Sequence, residues 1–411
     1  MISILHPNRV VNLELSITGS KSITNRLLIL RSIYPSLKIK NKSNSQDTVV
    51  LENALKSSKN IKDVGHAGTA MRFLTAYYSI LKNREVTLLG SKRMHERPIH
   101  PLVDCLKLIG ADISYLERDG FPPLRIRGKK LNSKKVEISS NVSSQFISAI
   151  LLIAPKLIGG LVIELKGELI SKPYIKMSIG LLNKLGVKTN FNGNLIKIGH
   201  LEKTQKKTFT VESDWSSASY WYSIVALSES AEVRLNNFFK KSIQGDSVLA
   251  RYYKALGVET KFIENYIVLS KINDFKPPKY LKLDLIDTPD LAQTIVVTCF
   301  GLGTSCFLCG LQTLNIKETE RLNALKNELT KLGAKLDITE TSLKLYKSKE
   351  FRKNITINTY QDHRMAMSFA PLALIIPIFI ENPSVVVKSY PHFWNDLIKA
   401  GFKIKSTQKY N

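Results

Sequence analysis

Cysteine is scarce: Cys105, Cys299, Cys306 and Cys309 are the four in 411 residues, too few for a disulfide framework in a chain of this size. Cys306 and Cys309 have zinc-knuckle spacing, but no second Cys or His pair stands at a ligand distance and their flanks read as a buried strand, so structural thiols are expected and no metal site. Long apolar runs are also missing. The best candidate, residues 365–380, is interrupted by Pro371 and Pro377 and opens beside Asp362, His363 and Arg364, so it reads as a buried helix rather than a membrane span. Residues 1–7 lack the basic region, apolar core and cleavage site of a secretory signal, which points to the cytoplasm. A Gly-rich nucleotide loop ending in Lys-Ser/Thr is absent, and no cofactor is expected.

Acidic residues are few beside the basic ones, 34 Asp and Glu against 60 Lys and Arg, for a net charge of +26. Charge of this size suits a nucleic-acid binder. The excess is carried by scattered Lys, however, without a run, a stripe or interleaved aromatics, and small anionic ligands fit it at least as well. Small-molecule substrates, no nucleic acid and no membrane are the expected partners, a basic nucleic-acid-binding protein is the alternative that the charge alone allows, and a monomer is the default expectation.

What the chain does have is repetition. Short polar knots precede long apolar stretches at Gly19-Ser20-Lys21-Ser22, Gly65-His66-Ala67-Gly68-Thr69, Asn141-Val142-Ser143-Ser144-Gln145, Ser213-Asp214-Trp215-Ser216-Ser217, Thr288-Pro289-Asp290 and Tyr360-Gln361-Asp362-His363-Arg364. Each has the chemistry of a helix start, because small, hydroxyl and carboxylate residues cap the amides that a first turn leaves unpaired. From Gly65 onward they recur about every 70 to 77 residues. A second series ends helical patterns in glycine, at Gly110, Gly186, Gly257, Gly333 and Gly401, each followed by a strand-like run. Residues 47–55 look like the sixth member of that series. The expectation is an α/β protein of six units, each with two helices and several short strands, grouped into two domains. No Pro/Gly/Ser-rich linker divides the chain, and the handover between domains is placed near residues 211–214, as in a cleft that closes on its ligand.

Positive helix ends converging on one crevice would favour phosphate and carboxylate. Basic residues reinforce the knots: Lys21 and Arg26 in and after the first, Arg72 one turn into the second, then Arg97, Lys317, Arg321, Arg364 and Lys388. Arg recognises planar anions in a bidentate manner, whereas Lys acts as a compact point charge. Taken singly, each motif is also a plain capped helix, a satisfied histidine or a solvated, ion-paired helix face.

As an ordered set, Gly19-Ser20-Lys21-Ser22-Ile23-Thr24-Asn25-Arg26, Gly68-Thr69-Ala70-Met71-Arg72, Glu96-Arg97-Pro98-Ile99, Ser143-Ser144-Gln145-Phe146, Ser171-Lys172-Pro173-Tyr174-Ile175, Lys317-Glu318-Thr319-Glu320-Arg321 and Asp362-His363-Arg364-Met365-Ala366-Met367 resemble the signatures of the 5-enolpyruvylshikimate-3-phosphate synthase family, from about residue 19 to about residue 390. The resemblance implies two domains, each of three βαβαββ units around buried parallel helices, with the active site in the interdomain cleft. The domains would be residues 21–213, and residues 1–20 with 214–411. It implies transfer of enolpyruvate from phosphoenolpyruvate to the 5-hydroxyl of shikimate 3-phosphate, with release of phosphate.

By the same resemblance, shikimate 3-phosphate would meet Lys21, Ser22, Arg26, Ser143, Ser144, Gln145, Ser171, Tyr174, Asp290 and Lys317. Phosphoenolpyruvate would meet Lys21, Gly68, Arg97, Gln145, Arg321, Arg364 and Lys388, with Arg72 nearby. The catalytic groups would be Lys21 at the leaving phosphate, Asp290 at the hydroxyl, Glu318 at the methylene carbon and His363 assisting. Three positions depart from the family pattern: His66 stands where Asn is usual, Phe73 where Pro or Leu is frequent, and Thr313 where an Asn often contacts the sugar phosphate. The sister transferase acting on UDP-N-acetylglucosamine shares the architecture, but its loop cysteine has no evident counterpart here.

Overall fold

The computed structural model describes residues 1–132, 135–139, 143–348 and 351–407. The chain divides into two units, one of residues 19–211 and one of residues 1–18 with 212–411.

In the unit of residues 19–211 the helices are α1 (Lys21–Ile33), α2 (Gln46–Lys56), α3 (Gly68–Ser79), α4 (Lys92–His95), α5 (His100–Leu108), α6 (Ser144–Ile153) and α7 (Lys172–Leu185). Strand Ile61–Asp63 runs parallel to Glu85–Leu89, which pairs antiparallel with Leu124–Arg127, itself antiparallel to Asp112–Tyr115. Period-two alternation sets the faces: Val86, Leu88, Leu124 and Ile126 are buried, while Glu85, Arg125 and Arg127 face water. The same strand order recurs in Lys135–Ser139, Leu161–Lys166, Leu195–Ile198 and Thr189–Asn192. The first copy keeps only a parallel pair, Leu37–Lys40 with Lys207–Thr210, where a complete βαβαββ unit was expected. Its closing hairpin has no room, because only residues 57–60 separate α2 from the strand Ile61–Asp63. Helices α1, α3 and α6 pack on one another, and α6 is apolar nearly all round, as a helix without a solvent face must be.

In the other unit the helices are α8 (Trp215–Leu227), α9 (Leu249–Lys254), α10 (Ala292–Leu302), α11 (Arg321–Lys331), α12 (His363–Phe369) and α13 (Phe393–Lys399). Three sheets repeat the order just described: Val10–Leu15, Ser230–Asn236, Tyr266–Lys271, Val258–Ile263; then Tyr280–Asp284, Ser305–Cys309, Leu343–Leu345, Leu336–Ile338; then Thr356–Ile357, Ile378–Ile380, Ile2–Leu5, Lys403–Ser406. In the last of these, Ile2–Leu5 fills the place that a hairpin strand takes elsewhere. Helices α8, α10 and α12 pack together and are bridged by hydroxyls: Ser219 Oγ to Thr294 Oγ1 (3.2 Å), Thr294 Oγ1 to Ser368 Oγ (3.3 Å) and Thr298 Oγ1 to Ser223 Oγ (2.8 Å).

The glycine series marks the ends of the second helices, since Gly110, Gly186, Gly257, Gly333 and Gly401 all have φ between +88° and +101°, where only glycine is unstrained. The knots are less uniform than expected. Ser20, Ser143, Asp214 and Asp362 accept a hydrogen bond from an amide of the following turn. Helix α3 starts behind Ala67, which has no acceptor, and α10 starts through a 3-10 turn at Pro289–Leu291 without a side-chain cap. Asn141 and Val142 lie outside the described residues. The stretch 365–380, read as one helix, is instead α12, a 3-10 turn (Ala370–Leu374) and a strand (Ile378–Ile380). Pro371 and Pro377 each remove a backbone donor and end the helical ladder. Among the described residues no helix is long and apolar enough to cross a membrane.

Candidate active site

Three helix starts in the unit of residues 1–18 and 212–411 bring their charged side chains into one network. Arg321, the first residue of α11, is 1% exposed, and its guanidinium is shared by three carboxylates: Nε donates to Asp362 Oδ2 (2.7 Å), Nη1 to Asp290 Oδ1 (2.7 Å) and Nη2 to Glu318 Oε2 (2.8 Å). A fixed planar fork can hold several carboxylates in one geometry, which a point charge cannot. Further cations close around the acids. Lys317 Nζ lies 3.5 Å from Asp290 Oδ1, Arg364 Nη1 donates to the Asp290 carbonyl (3.1 Å), and Lys388 Nζ lies 3.2 Å from Glu318 Oε1. Asp362 caps α12 through the Arg364 amide (2.8 Å), and His363 Nδ1 is 3.6 Å from its Oδ1. All seven expected residues of this unit, Asp290, Lys317, Glu318, Arg321, His363, Arg364 and Lys388, thus belong to one network, joined by Asp362.

Burial pushes the Asp290 carboxyl up, but Lys317, Arg364 and Arg321 together outweigh it and hold the group well below the ordinary carboxylate range. Arg321 is held above its ordinary value: burial alone would lower it, and Asp362, Glu318 and Asp290 reverse the sign. Asp246 behaves in the opposite way. It is buried in the 3-10 turn Gly245–Val248, accepts a hydrogen bond from Ser216 at the start of α8, and leaves Oδ1 without a hydrogen-bond partner among the described residues. Burial pushes its carboxyl up to about 6, against the Ser216 hydrogen bond and the Arg364 charge, with Asp290 and Asp214 adding to the rise.

In the unit of residues 19–211 the buried Arg26 is held by neutral groups. Arg26 is 2% exposed; its Nε donates to Ser178 Oγ (2.7 Å), Nη1 to the Ser22 carbonyl (2.8 Å) and Nη2 to Ser148 Oγ (2.9 Å) and the Tyr174 carbonyl (3.3 Å). The guanidinium lies 5.4 Å from the Phe73 ring and 5.9 Å from that of Tyr174, so the unusual Phe73 serves as a cation–π surface. Burial lowers Arg26 to about 10. Arg72 donates to the Gly68 carbonyl (3.1 Å) and Met94 Sδ (3.3 Å). Gly68 leaves room for two guanidiniums, since a Cβ there would sit 2.7 Å from Arg97 Nη1 and 3.1 Å from Arg72 Nη1. Both guanidiniums therefore crowd the uncapped start of α3. Lys21 pairs with Asp47 (3.1 Å).

Ser143 caps α6, with Ser144 and Gln145 in its first turn, and Ser171 precedes α7 at φ +55°, with its carbonyl accepting from the Tyr174 amide (3.1 Å). His66 bonds Ser91 (2.9 Å), whose hydroxyl caps α4. Thr313 is buried, and its hydroxyl has no hydrogen-bond partner among the described residues.

Sequence reasoning missed Asp47, Ser148, Ser178 and Asp246, and gave Asp362 no task. Ser148 and Ser178 were findable, since each stands four residues after an expected site residue, Ser144 or Tyr174, and so on the same helix face. Asp47 and Asp246 come from elsewhere in the chain with no local signal.

The family model described as EPSP synthase (3-phosphoshikimate 1-carboxyvinyltransferase) matches residues 36–397. The chain belongs to the EPSP synthase family. A 3-phosphoshikimate 1-carboxyvinyltransferase of Bacteroides fragilis (strain YCH46) is 43% identical over 399 residues, 96% of this chain and 97% of that one. One of Photobacterium profundum is 35% identical, covering 96% of this chain and 97% of its own length. The EPSP synthase structure from Acinetobacter baumannii superposes with a TM-score of 0.76 at 21% identity, covering 98% of this chain and 99% of that one, a likeness of fold. Against this EPSP synthase frame, the network around Arg321 includes both acids that the sequence marks for catalysis, Asp290 and Glu318.

Proposed function

We propose that the chain transfers the enolpyruvyl group of phosphoenolpyruvate to the 5-hydroxyl of shikimate 3-phosphate and releases phosphate. The activity is the one for which the family and its relatives are named, 3-phosphoshikimate 1-carboxyvinyltransferase, a shikimate-pathway step toward aromatic amino acids. The observation that carries it is the Arg321 guanidinium holding Asp290, Glu318 and Asp362 among Lys317, Arg364 and Lys388. Two acids in different surroundings can divide two proton transfers, while cations offset the repulsion between two anionic substrates.

In this reading the substrate hydroxyl attacks C2 of the enol while the methylene carbon gains a proton. The tetrahedral intermediate then loses that proton and expels phosphate, a sequence that needs no redox or nucleotide cofactor. Asp290 accepts from the 5-hydroxyl. While Lys317, Arg364 and Arg321 hold it, it is a poor base, and an anionic substrate that draws Lys317 and Arg364 to itself would raise its basicity. Glu318 carries the methylene proton, His363 assists, and Lys21 turns from Asp47 to the leaving phosphate. Arg97 and Arg364 take the carboxylate and phosphate of phosphoenolpyruvate, with Gly68 and Lys388 beside them and Arg321 acting through the acids it orients. Ser22, Ser143, Ser144, Gln145, Ser171 and Tyr174, backed by Arg26, take shikimate 3-phosphate.

Residues 21–213, and residues 1–20 with 214–411, are proposed as the two domains of the enzyme. The enzyme is proposed as a monomer, and phosphorylated substrates do not cross membranes unaided, in keeping with a cytoplasmic location. No nucleic acid has a part in the reaction. Phosphate release from phosphoenolpyruvate tests the reading. Release that depends on shikimate 3-phosphate and not on UDP-N-acetylglucosamine is expected; dependence on the sugar nucleotide, or no release with either, would overturn it.

A further inference from the structure

Glu328 lies on α11 seven residues after Arg321, two turns along the same helix face. It is fully buried, and both its oxygens are used: Oε1 accepts from Tyr360 Oη (2.7 Å), Oε2 from the Asn358 amide (3.0 Å), and Lys331 Nζ reaches both (2.8 and 2.7 Å). Asn358 and Tyr360 belong to the segment that enters the last knot. Tyr360 and Gln361 have φ of +52° and +56°, two successive non-glycine residues in the left-handed region. A side chain is disfavoured there, and such a pair persists only where its surroundings hold it. The next residues are Asp362, which Arg321 grips, and then His363 and Arg364. Helix α11 therefore fastens this segment at two points, one through Arg321 to Asp362 and one through Glu328 to Asn358 and Tyr360.

We infer that Glu328 is a positioning residue, which holds the left-handed Tyr360–Gln361 turn in place and thereby aims Arg364 and His363. The inference rests on the proposed role of those two residues in the reaction. Glu328 touches no substrate. Its effect passes through backbone dihedrals, so a glycine, which takes a left-handed φ at no cost, should substitute for it in part.

The test uses the full chain with Glu328→Gln, Tyr360→Phe and Gln361→Gly, singly and with Gln361→Gly added to each of the first two. Glu328→Gln places an amide nitrogen or a weaker acceptor against the Asn358 amide, and Tyr360→Phe removes a single hydrogen bond should Glu328→Gln fold poorly. The expected result is a rise in KM for phosphoenolpyruvate and a fall in kcat/KM of roughly 10-fold or more, with KM for shikimate 3-phosphate little changed. Gln361→Gly should recover roughly fivefold in the Glu328→Gln or Tyr360→Phe background and have little effect alone. Folded variants with unchanged kinetics, or a Gln361→Gly effect that is equal in all backgrounds, would overturn the inference. Wild-type chain without acceptor-dependent phosphate release would instead sink the functional reading. The turn is judged in that case by whether Gln361→Gly raises the urea midpoint more in Glu328→Gln than in wild type.

Discussion

The buried Arg321 of one unit and the buried Arg26 of the other carry their positive charge in opposite ways. Around Arg321 every guanidinium nitrogen meets a carboxylate, and Asp290 in turn meets Lys317 and Arg364 as well. Around Arg26 the donors meet hydroxyls and carbonyls, and burial lowers its affinity for the proton. A cation already matched by acids has little left to gain from an anionic ligand; its use is to orient those acids. A buried cation held by neutral groups still lacks a counter-charge, and an arriving phosphate would supply one. In the proposed reaction the contrast would give proton chemistry to Asp290 and Glu318, oriented by Arg321, and would make Arg26 a counter-charge for an arriving phosphate.

That contrast can be broken by substitution. Arg321→Met should be the most damaging, since it leaves buried Asp362 and its partners Asp290 and Glu318 without their common cation; about 3–5 kcal/mol of stability is expected to go, together with turnover. Urea denaturation at neutral pH reads the first quantity, and a loss below about 1 kcal/mol would show that the network is not held by this guanidinium. Asp290→Asn should keep the fold and substrate binding but lower kcat by roughly 10²–10⁴-fold. Turnover close to wild type in single-turnover experiments would remove Asp290 from proton transfer.

Gly68→Ala tests the other unit. The new methyl would meet the far end of Arg97, which can swing aside, so stability should hardly change while KM for phosphoenolpyruvate rises roughly 10-fold or more. An unchanged KM would detach Arg97 from that substrate. The smallest effect concerns Asp246, whose folded value of about 6 lies above the ordinary carboxylate range. Between roughly pH 4 and 6 the folded chain binds this proton more tightly than the unfolded chain does, so the contribution of Asp246 to stability falls as pH rises through that window and is level above it. Asp246→Asn should therefore be more stable than wild type at pH 7, by on the order of 2 kcal/mol, and the difference should shrink toward pH 4. A difference independent of pH would assign the buried acid an ordinary value.

The architecture was largely legible because its signals are local. Helix caps such as Ser20 and Asp214 and the left-handed glycines Gly186 and Gly333 act within a turn of themselves, so their spacing exposes the repeat. The missing hairpin of the first copy was not legible, as nothing in residues 57–60 announces what has been left out. At the candidate site the residue types were readable and their partners were not. Lys21 gives no hint of Asp47, nor Arg26 of Ser148 and Ser178, because each pair is set by tertiary packing. The sequence around Arg321 reads equally well as a solvated, ion-paired helix face, and only burial distinguishes that from a keystone.

The strand Ile2–Leu5 pairs with Ile378–Ile380 and Lys403–Ser406, and Val10–Leu15 pairs with Ser230–Asn236. On the ribosome, residues 19–211 emerge as an unbroken stretch able to fold as soon as it is clear of the tunnel. The first eighteen residues, made earlier, must wait for partners synthesised hundreds of residues later, with their edge bonds unmet in the meantime. The unit that carries Asp290 and Arg321 is thus the last to be completed, and nascent chains stalled before residue 378 should present the strand Ile2–Leu5 to chaperones while the other unit already resists protease.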